Sequence, residues 1–459
     1  MKRLIEYIKK VSGLKRKLII HSISLASVSL VLFINCPPVF SESRHMPFPK
    51  ILTPFGFGER LDRRHSSYNV DYVVIGWNDL GMHCINPSYS QLAILPPFNN
   101  LWAQVIKRGD PPKVVTSGIS LEYSILNNTT AAGKTDFWDY ADQLFGVKLR
   151  PGIGLTGNGL SGKMKPVGDH FEATGIPVLP YDDQMNWNPY QTAIIKMKDS
   201  RGRLLEKIQV TLPVSDEINC AQCHMQGMDG TVNLPVDEMT SLTGTMDVNL
   251  NILMVHDFYN GTPGQKLVDV QPVLCAKCHS SNALGAPGLA GVKSVSLSMH
   301  GWHNGVDRAG DATCYSCHPG EATQCLRTGI AGMGYLGKDP SCQTGLCHGG
   351  IEGMGDPTRN PWVTEPSCDQ CHGSNYSTGQ NLYRHAKGDV NVPCSTIYCV
   401  ACHNSPHAWW PSKLWADNFQ PIMLQRVPYA LRNCSVCHTK KMVGDNPHVI
   451  YYLPAKDPR

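Results

Sequence analysis

The sequence predicts an α+β protein: an N-terminal β-sandwich-like module followed by a mostly irregular, short-helical region. Apolar and polar residues alternate with the period of strands before residue 215, whereas no strong apolar period persists after it. Cysteines also divide the chain, because 18 occur in 459 residues and none lies between Cys84 and Cys220. We therefore expect a β-rich module over 42–215 and a cysteine-rich domain over 216–459.

The elements of the β-rich module are predicted from local patterns. Three stretches alternate with period two, namely 115–125, 191–198 and 208–214. Residues 199–203 between the last two predict a hairpin turn, and the apolar run 71–77 (DYVVIGW) predicts a buried strand. One short helix is predicted over 136–144, with Thr135 as its N-cap and Gly146 as its end.

The first 41 residues resemble an export signal, since seven Lys or Arg residues precede an apolar run at 18–34. An uncleaved N-terminal anchor is the alternative. The whole chain has 41 basic and 37 acidic residues; residues 1–41 hold seven and one of these, which leaves 34 and 36. The basic excess therefore belongs to the signal, and the rest of the chain predicts no nucleic-acid partner.

The cysteines recur in a five-residue unit, C-x-x-C-H. Its six copies contain Cys220 and Cys223, Cys275 and Cys278, Cys314 and Cys317, Cys368 and Cys371, Cys399 and Cys402, and Cys434 and Cys437. This unit is the attachment signature of c-type haem, in which both cysteines form thioethers and the histidine binds the iron. Zinc ribbons are the alternative, but they do not require a histidine after every second cysteine.

One further unit, CQTGLCH, contains Cys342, Cys347 and His348, lies in the gap between the units at Cys314 and Cys368, and is the fourth of seven in chain order. It resembles the C-x-x-x-x-C-H unit of the small tetrahaem cytochromes of sulfate reducers, and a disulfide beside a surface histidine is the alternative. We therefore predict seven haem c groups per chain. The predicted proximal ligands are His224, His279, His318, His348, His372, His403 and His438. Their porphyrins would supply the apolar interior that side-chain patterning lacks.

Seven irons need sixth ligands, and ten histidines outside the signal and the units could provide them. The predicted distal ligands are His83, His256, His300, His303, His385, His407 and His448, which leaves His45, His65 and His170 as spares. His300 and His303 share one face of a helical turn and could serve two haems. His83 lies far upstream and could reach from the β module to cap the first haem. Met82 and Met299 are alternative ligands that would raise a reduction potential.

The C-terminal half resembles the multihaem c-type cytochromes of metal- and sulfur-respiring bacteria. The resemblance is carried by the seven units and by the segments 299–303 (MHGWH), 314–320 (CYSCHPG) and 405–408 (SPHA), while 76–84 looks like the N-terminal module of such proteins. It implies electron transfer outside the cytoplasm, in the periplasm or at the outer-membrane or extracellular surface. Redox proteins or extracellular electron acceptors would be the partners.

Three functions follow from this resemblance. The first is an electron-transfer protein without bond-making chemistry; the second is a multihaem oxidoreductase that reduces a small nitrogen or sulfur oxyanion at an open haem. The third makes the β module a docking domain. Membrane association and a homo-oligomer or filament stay open. Cys84, Cys325 and Cys394 lie outside the units, and two of them could form a disulfide in an oxidising compartment.

Overall fold

The computed structural model describes residues 71–217, 220–225, 245–261, 265–304, 314–319, 323, 325–328, 353–356, 358 and 396–440. The protein has mixed α and β content, and its sheets lie in the N-terminal half. The described residues all belong to one compact unit, Arg63–Arg459. Within those ranges, no helix is both long and apolar enough to cross a membrane.

The strands and helices follow one another along the chain. The strands are β1 (Tyr72–Asn78), β2 (His83–Cys84), β3 (Leu92–Ala93), β4 (Asn99–Lys107), β5 (Lys113–Val114), β6 (Ile119–Ile125), β7 (Ser161–Lys163), β8 (Lys165–Val167), β9 (His170–Ile176), β10 (Tyr190–Asp199), β11 (Leu204–Ser215) and β12 (Val273–Leu274). The α-helices are α1 (Phe137–Phe145), α2 (Ala221–His224), α3 (Thr245–Asn260), α4 (Val295–Asn304), α5 (Cys399–His403) and α6 (Phe419–Gln425).

Two five-stranded sheets form the N-terminal half. One has the order β1-β4-β9-β8, with β5 added to β4, and all of its pairs are antiparallel. The other has the order β2-β11-β10-β6-β7 and is antiparallel except for the short β2–β11 pair. The two-residue strands β3 and β12 pair in parallel and join this half to the segment that carries Cys275.

The two sheets share one apolar core. Val74 and Val105 of the first sheet belong to the same buried cluster as Leu121, Ile195 and Leu212 of the second. The sheets pack closely at Gly76, where an added Cβ would lie only 2.7 Å from Val210 Cγ2. A side chain at this position would force the sheets apart, so β1 needs a glycine here.

The continuous apolar run of β1 is explained by burial on both of its faces. Val74 faces the shared core, whereas Val73, Ile75 and Trp77 pack on a second cluster from the C-terminal region. The C-terminal members of that cluster are Ile397, Ala401, Trp410, Leu431 and Val436. A strand covered on both faces needs no polar alternation, which is why the sequence reads as an uninterrupted apolar run.

Several predicted elements have observed counterparts. The stretches 191–198 and 208–214 fall in β10 and β11, and Asp199 N donates to the Arg203 carbonyl across the predicted hairpin turn. The stretch 115–125 is a strand only over β6, because Gly118 adopts a φ of 74° just before it.

The predicted helix is α1, and it ends at Gly146 in the left-handed conformation as expected. Its N-cap is Asp136 and not Thr135. The Asp136 carboxylate accepts hydrogen bonds from Tyr89 N and Ser88 Oγ, so it joins the helix start to the 88–89 segment and gives no cap bond.

Candidate haem sites

The five C-x-x-C-H units that the structure describes adopt the same backbone turn. In the units that begin at Cys220, Cys275, Cys314 and Cys434, the histidine N donates to the carbonyl of the first cysteine at 2.8–3.0 Å. The unit at Cys399 forms helix α5. Positions i, i+3 and i+4 of a helical turn lie on one face, so both thiols and the imidazole project together from each unit.

The imidazole of His224, in the first unit, faces a histidine from outside the units. The ring centroids of His224 and His303 are 6.4 Å apart. Burial, together with the nearby His303, lowers the pKa of His224 to about 4, so this imidazole is neutral and able to bind a metal at neutral pH.

The third unit forms a similar pair from the same helix. The rings of His300 and His318 are nearly parallel, with an interplanar angle of 12° and centroids 6.1 Å apart. His300 and His303 both lie on α4, so this one helix presents a histidine to the first unit and another to the third. The cysteines of these two units also lie near each other. Burial, followed by the proximity of Cys317, raises the pKa of Cys220 to about 11.

The second unit pairs with helix α3. The rings of His256 and His279 have centroids 6.3 Å apart and are perpendicular. Burial and the adjacent His279 lower the pKa of His256, which again favours the neutral imidazole. Three of the seven predicted proximal histidines therefore face three of the predicted distal histidines.

The spacing of these pairs fits a haem iron between the rings. A metal–nitrogen bond is about 2.0 Å and the ring centroid lies about 1.1 Å beyond the nitrogen, so two imidazoles on opposite sides of one ion have centroids about 6.2 Å apart. The observed range of 6.1–6.4 Å matches this value. Two imidazoles in direct hydrogen-bonded or stacked contact would lie closer together.

Hydrogen bonds orient several of these rings for ligation. His279 Nδ1 lies 2.8 Å from the Lys293 carbonyl, His300 Nδ1 lies 2.8 Å from the Ser296 carbonyl, and His303 Nδ1 lies 2.6 Å from the Met299 carbonyl. A neutral imidazole that donates from Nδ1 carries its lone pair on Nε2, which is the nitrogen that binds iron. The residues present therefore fit bis-histidine haem at these three positions.

The sixth and seventh units lie against the first sheet. Helix α5, which contains Cys399, Cys402 and His403, belongs to the cluster around Trp77, and burial raises the pKa of Cys402 to about 12. In the seventh unit, His438 Nδ1 lies 2.9 Å from Asp110 Oδ1. The Asp110 pKa is lowered, first by a hydrogen bond from Thr439 Oγ1 and also by His438.

Two predicted distal histidines and one spare lie elsewhere in the described part. His83 Nε2 is 2.7 Å from Asp79 Oδ1, and the ring that faces His224 is that of His303. The assignment of His83 as a haem ligand stays a prediction. His407 Nδ1 contacts the Leu80 carbonyl at 3.2 Å. His170 stacks on Trp102 at 4.7 Å in the first sheet.

Some predicted positions lie outside the described residues, and the corresponding assignments stay predictions. These are the signal at 1–41, Cys342, Cys347, His348, Cys368, Cys371, His372, His385, His448, Cys394, His45 and His65. Of the cysteines outside the units, Cys84 and Cys325 are neighbours. Burial, followed by Cys325, raises the pKa of Cys84 to about 12, and Thr323 beside Cys325 bonds to Ser215, the strand partner of Cys84.

Two contacts of these sites have no signal in the sequence. Asp110 follows β4, and nothing in the sequence indicates that it contacts His438, which lies 328 residues further along the chain. Arg327 forms a buried ion pair with Asp417 and also donates to the Gly81 carbonyl at 2.8 Å. Both contacts join segments that are distant along the chain, and only the folded structure brings them together.

Two further observations bear on these sites: the first concerns bare metal ions, and the second is the comparison with known proteins. Among the described residues, no three His, Cys, Asp or Glu side chains converge as they would around a bare metal ion. A structural zinc site needs four such ligands about one ion. No family model, no curated protein and no solved structure matches this chain.

Proposed function

We propose that the protein is a multihaem c-type cytochrome that transfers electrons through seven attached, mostly bis-histidine haems. The observation that carries this proposal is the set of three imidazole pairs, in each of which a unit histidine faces an outside histidine at 6.1–6.4 Å. Isolated surface histidines have no reason to adopt this spacing three times. In this proposal a β-sandwich-like module (42–215) precedes a heptahaem domain (216–459).

The residues hold the cofactors and fix their coordination. Haem, when bound, supplies one-electron chemistry at iron. The cysteines of each turn would tether the porphyrin edge, and imidazoles from the unit and from α3 or α4 would hold the iron from both sides. The carbonyls of Lys293, Ser296 and Met299 lock the ring orientation. Rigid coordination on both sides keeps the geometry similar in the two oxidation states, which suits electron transfer without substrate binding.

The proposed location and partners follow from the export signal and the resemblance. An N-terminal segment of this type directs a chain out of the cytoplasm. Outside the cytoplasm, c-type haem is attached and disulfides persist. We propose that the mature protein works in the periplasm or at the cell surface. Its partners there would be other redox proteins or an extracellular electron acceptor.

The first test is the haem content and spin state of the purified protein. Expression in a host that matures c-type cytochromes, followed by haem quantification against protein, is expected to give seven haems per chain. Electron paramagnetic resonance of the oxidised protein should show low-spin iron. A folded, colourless protein, or one that holds stoichiometric zinc, would overturn the proposal; a high-spin signal from one haem in seven would favour the oxidoreductase.

The second test removes one proposed ligand. His303→Ala should keep seven haems and convert one of them from low spin to high spin, because only the iron bound by His224 would lose its second imidazole. His170→Gln is the matched control, since His170 stacks on Trp102 inside the module. Its spectrum should match that of the wild type. A wild-type spectrum for His303→Ala would contradict the assignment of that ligand.

A further inference from the structure

In the seventh unit of the chain, which begins at Cys434, a carboxylate contacts the histidine. His279, outside the module, directs Nδ1 at a backbone carbonyl, whereas His438 directs Nδ1 at the carboxylate of Asp110, 2.9 Å away. Asp110 lies between β4 and β5 and belongs to the sheet module. A charged residue of one region therefore reaches the proposed iron ligand of another.

Several contacts hold the Asp110 carboxylate in place. Its Oδ2 accepts hydrogen bonds from Thr439 Oγ1 at 2.6 Å and from Lys440 N at 2.7 Å. The neighbouring backbone is also fixed, because Gly109 N donates to the Cys437 carbonyl at 3.2 Å and Arg108 Nη2 donates to the Ser435 carbonyl at 2.8 Å. The 108–110 segment thus contacts Ser435, Cys437 and His438 of the seventh unit. The side chains of Asp110 and His438 are 15% and 11% exposed.

We propose that Asp110 is a positioning residue that orients His438 and lowers the reduction potential of the seventh haem. This inference rests on the proposed function. A carboxylate that accepts from Nδ1 makes the imidazole more basic, and a more basic axial ligand stabilises ferric over ferrous iron. A carbonyl does this less strongly because it carries no net charge. The sheet module therefore sets the electronic character of the last haem as well as supporting it.

The test is a redox titration of the intact protein, followed by visible absorption. Asp110→Asn should keep seven haems and raise the midpoint potential of one of them, because the amide keeps the shape and loses the charge. Asp169→Asn is the matched control: Asp169 Oδ1 lies 3.3 Å from His170 Nδ1, the same kind of contact at a histidine outside the units. That variant should titrate as the wild type does.

A second variant separates charge from folding. Asp110→Glu retains the carboxylate and should return the potential toward the wild-type value. If Asp110→Asn loses one haem while Asp110→Glu keeps seven, the role of the carboxylate in positioning His438 is supported. Seven haems in Asp110→Asn with an unchanged titration, or identical behaviour of the Asn and Glu variants, would overturn the inference. A wild-type protein without haem would instead overturn the proposed function.

Discussion

The sheet module and the segments that carry the first and third cysteine units fill their interiors in different ways. The module buries a large set of apolar side chains from both sheets in one cluster. In contrast, α2, α4 and the turn Cys314–Ser316 bury none of their residues. Large apolar side chains stay exposed on α3 and α4, including Phe258 at 56% and Trp302 at 50%. Such exposure indicates surface that another group covers.

The fifth helix shows the same unit in the opposite surroundings. Helix α5 carries a cysteine unit too, but Ala401 is fully buried beside Trp77 and Trp410 because the first sheet covers it. The comparison teaches that the turn geometry of the unit is local and needs no particular surroundings. What differs is the source of the apolar cover: protein side chains near the sheet, and, on the proposed function, porphyrin elsewhere.

The largest expected effect comes from withholding haem. If the chain is produced without cytochrome maturation, segments 220–225, 295–304 and 314–319 should be digested by a protease, because their apolar cover is missing. The described part of the module, 71–215, should stay protected because its core consists of its own side chains. Limited proteolysis with mass spectrometry measures this. Equal protection of both regions without haem would remove the distinction between them.

The next effect is expected at the contact between the module and the C-terminal region. Arg327 and Asp417 are both 2% exposed and lie 2.9 Å apart, while Arg327 also reaches the Gly81 carbonyl. Arg327→Met leaves the Asp417 carboxylate buried without its cation, which should lower the free energy of unfolding by about 3–5 kcal/mol. Chemical denaturation of the haem-loaded protein measures the change.

An exposed ion pair provides the control for that substitution. Lys148 and Asp142 are 3.9 Å apart and are 88% and 54% exposed. Lys148→Met should change the free energy of unfolding by less than about 1 kcal/mol, because solvent already screens the pair. Similar losses for the two variants would mean that burial does not decide the contribution of the Arg327 pair.

A smaller effect is expected at Gly81, where the module meets the 405–407 segment. Gly81 has a φ of 81°, and an added Cβ would lie 1.8 Å from the Pro406 carbonyl oxygen. Gly81→Ala should cost about 2 kcal/mol or more, since it combines left-handed strain with a backbone clash. Gly118→Ala is the matched control, because Gly118 has a φ of 74° and nothing within 4 Å. Only the conformational cost of about 1–2 kcal/mol should remain there.

The smallest effect is a pH dependence inside the module. A hydrogen bond from Lys198 is the main cause of the lowered pKa of Glu122. A carboxylate with a lowered folded pKa adds stability above its unfolded pKa, and this contribution is lost as the pH falls through the folded value. Lys198→Met should therefore reduce stability by less than about 1 kcal/mol at neutral pH and have no effect in strong acid. Urea denaturation at both pH values measures the difference, and an equal loss at both would contradict it.

The parts that the sequence predicts are those with local causes. The alternation around β10 and β11 reflects one buried face, and the paired histidines of α4 reflect helical spacing, so both could be read from neighbouring residues. The cysteine units are equally local, because five residues contain the whole turn. The structure brings His300 and His303 opposite two different units, as that spacing allows.

The parts that the sequence does not predict depend on contacts between distant segments. Nothing near Gln420 indicates that its side chain bonds both the N and the carbonyl of Gly76 and so extends the edge of β1. Asp110 likewise reads as an ordinary loop residue. From the sequence, His83 could reach the first haem, whereas the fold places the ring of His303 beside that of His224. Such contacts leave no periodic pattern.

Helix α4 has a consequence for the biogenesis of the protein. A nascent chain emerges from its N-terminus, so the unit at Cys220 is complete long before His303 has been made. On the proposed function, the first cofactor would spend that interval with an exchangeable sixth position, and the second would already have His256. Helix α4 would supply His303 to the first centre, and its His300 would already be in place when the third unit, at Cys314, is made. The second centre would thus be complete before the first, although the first unit precedes the second along the chain.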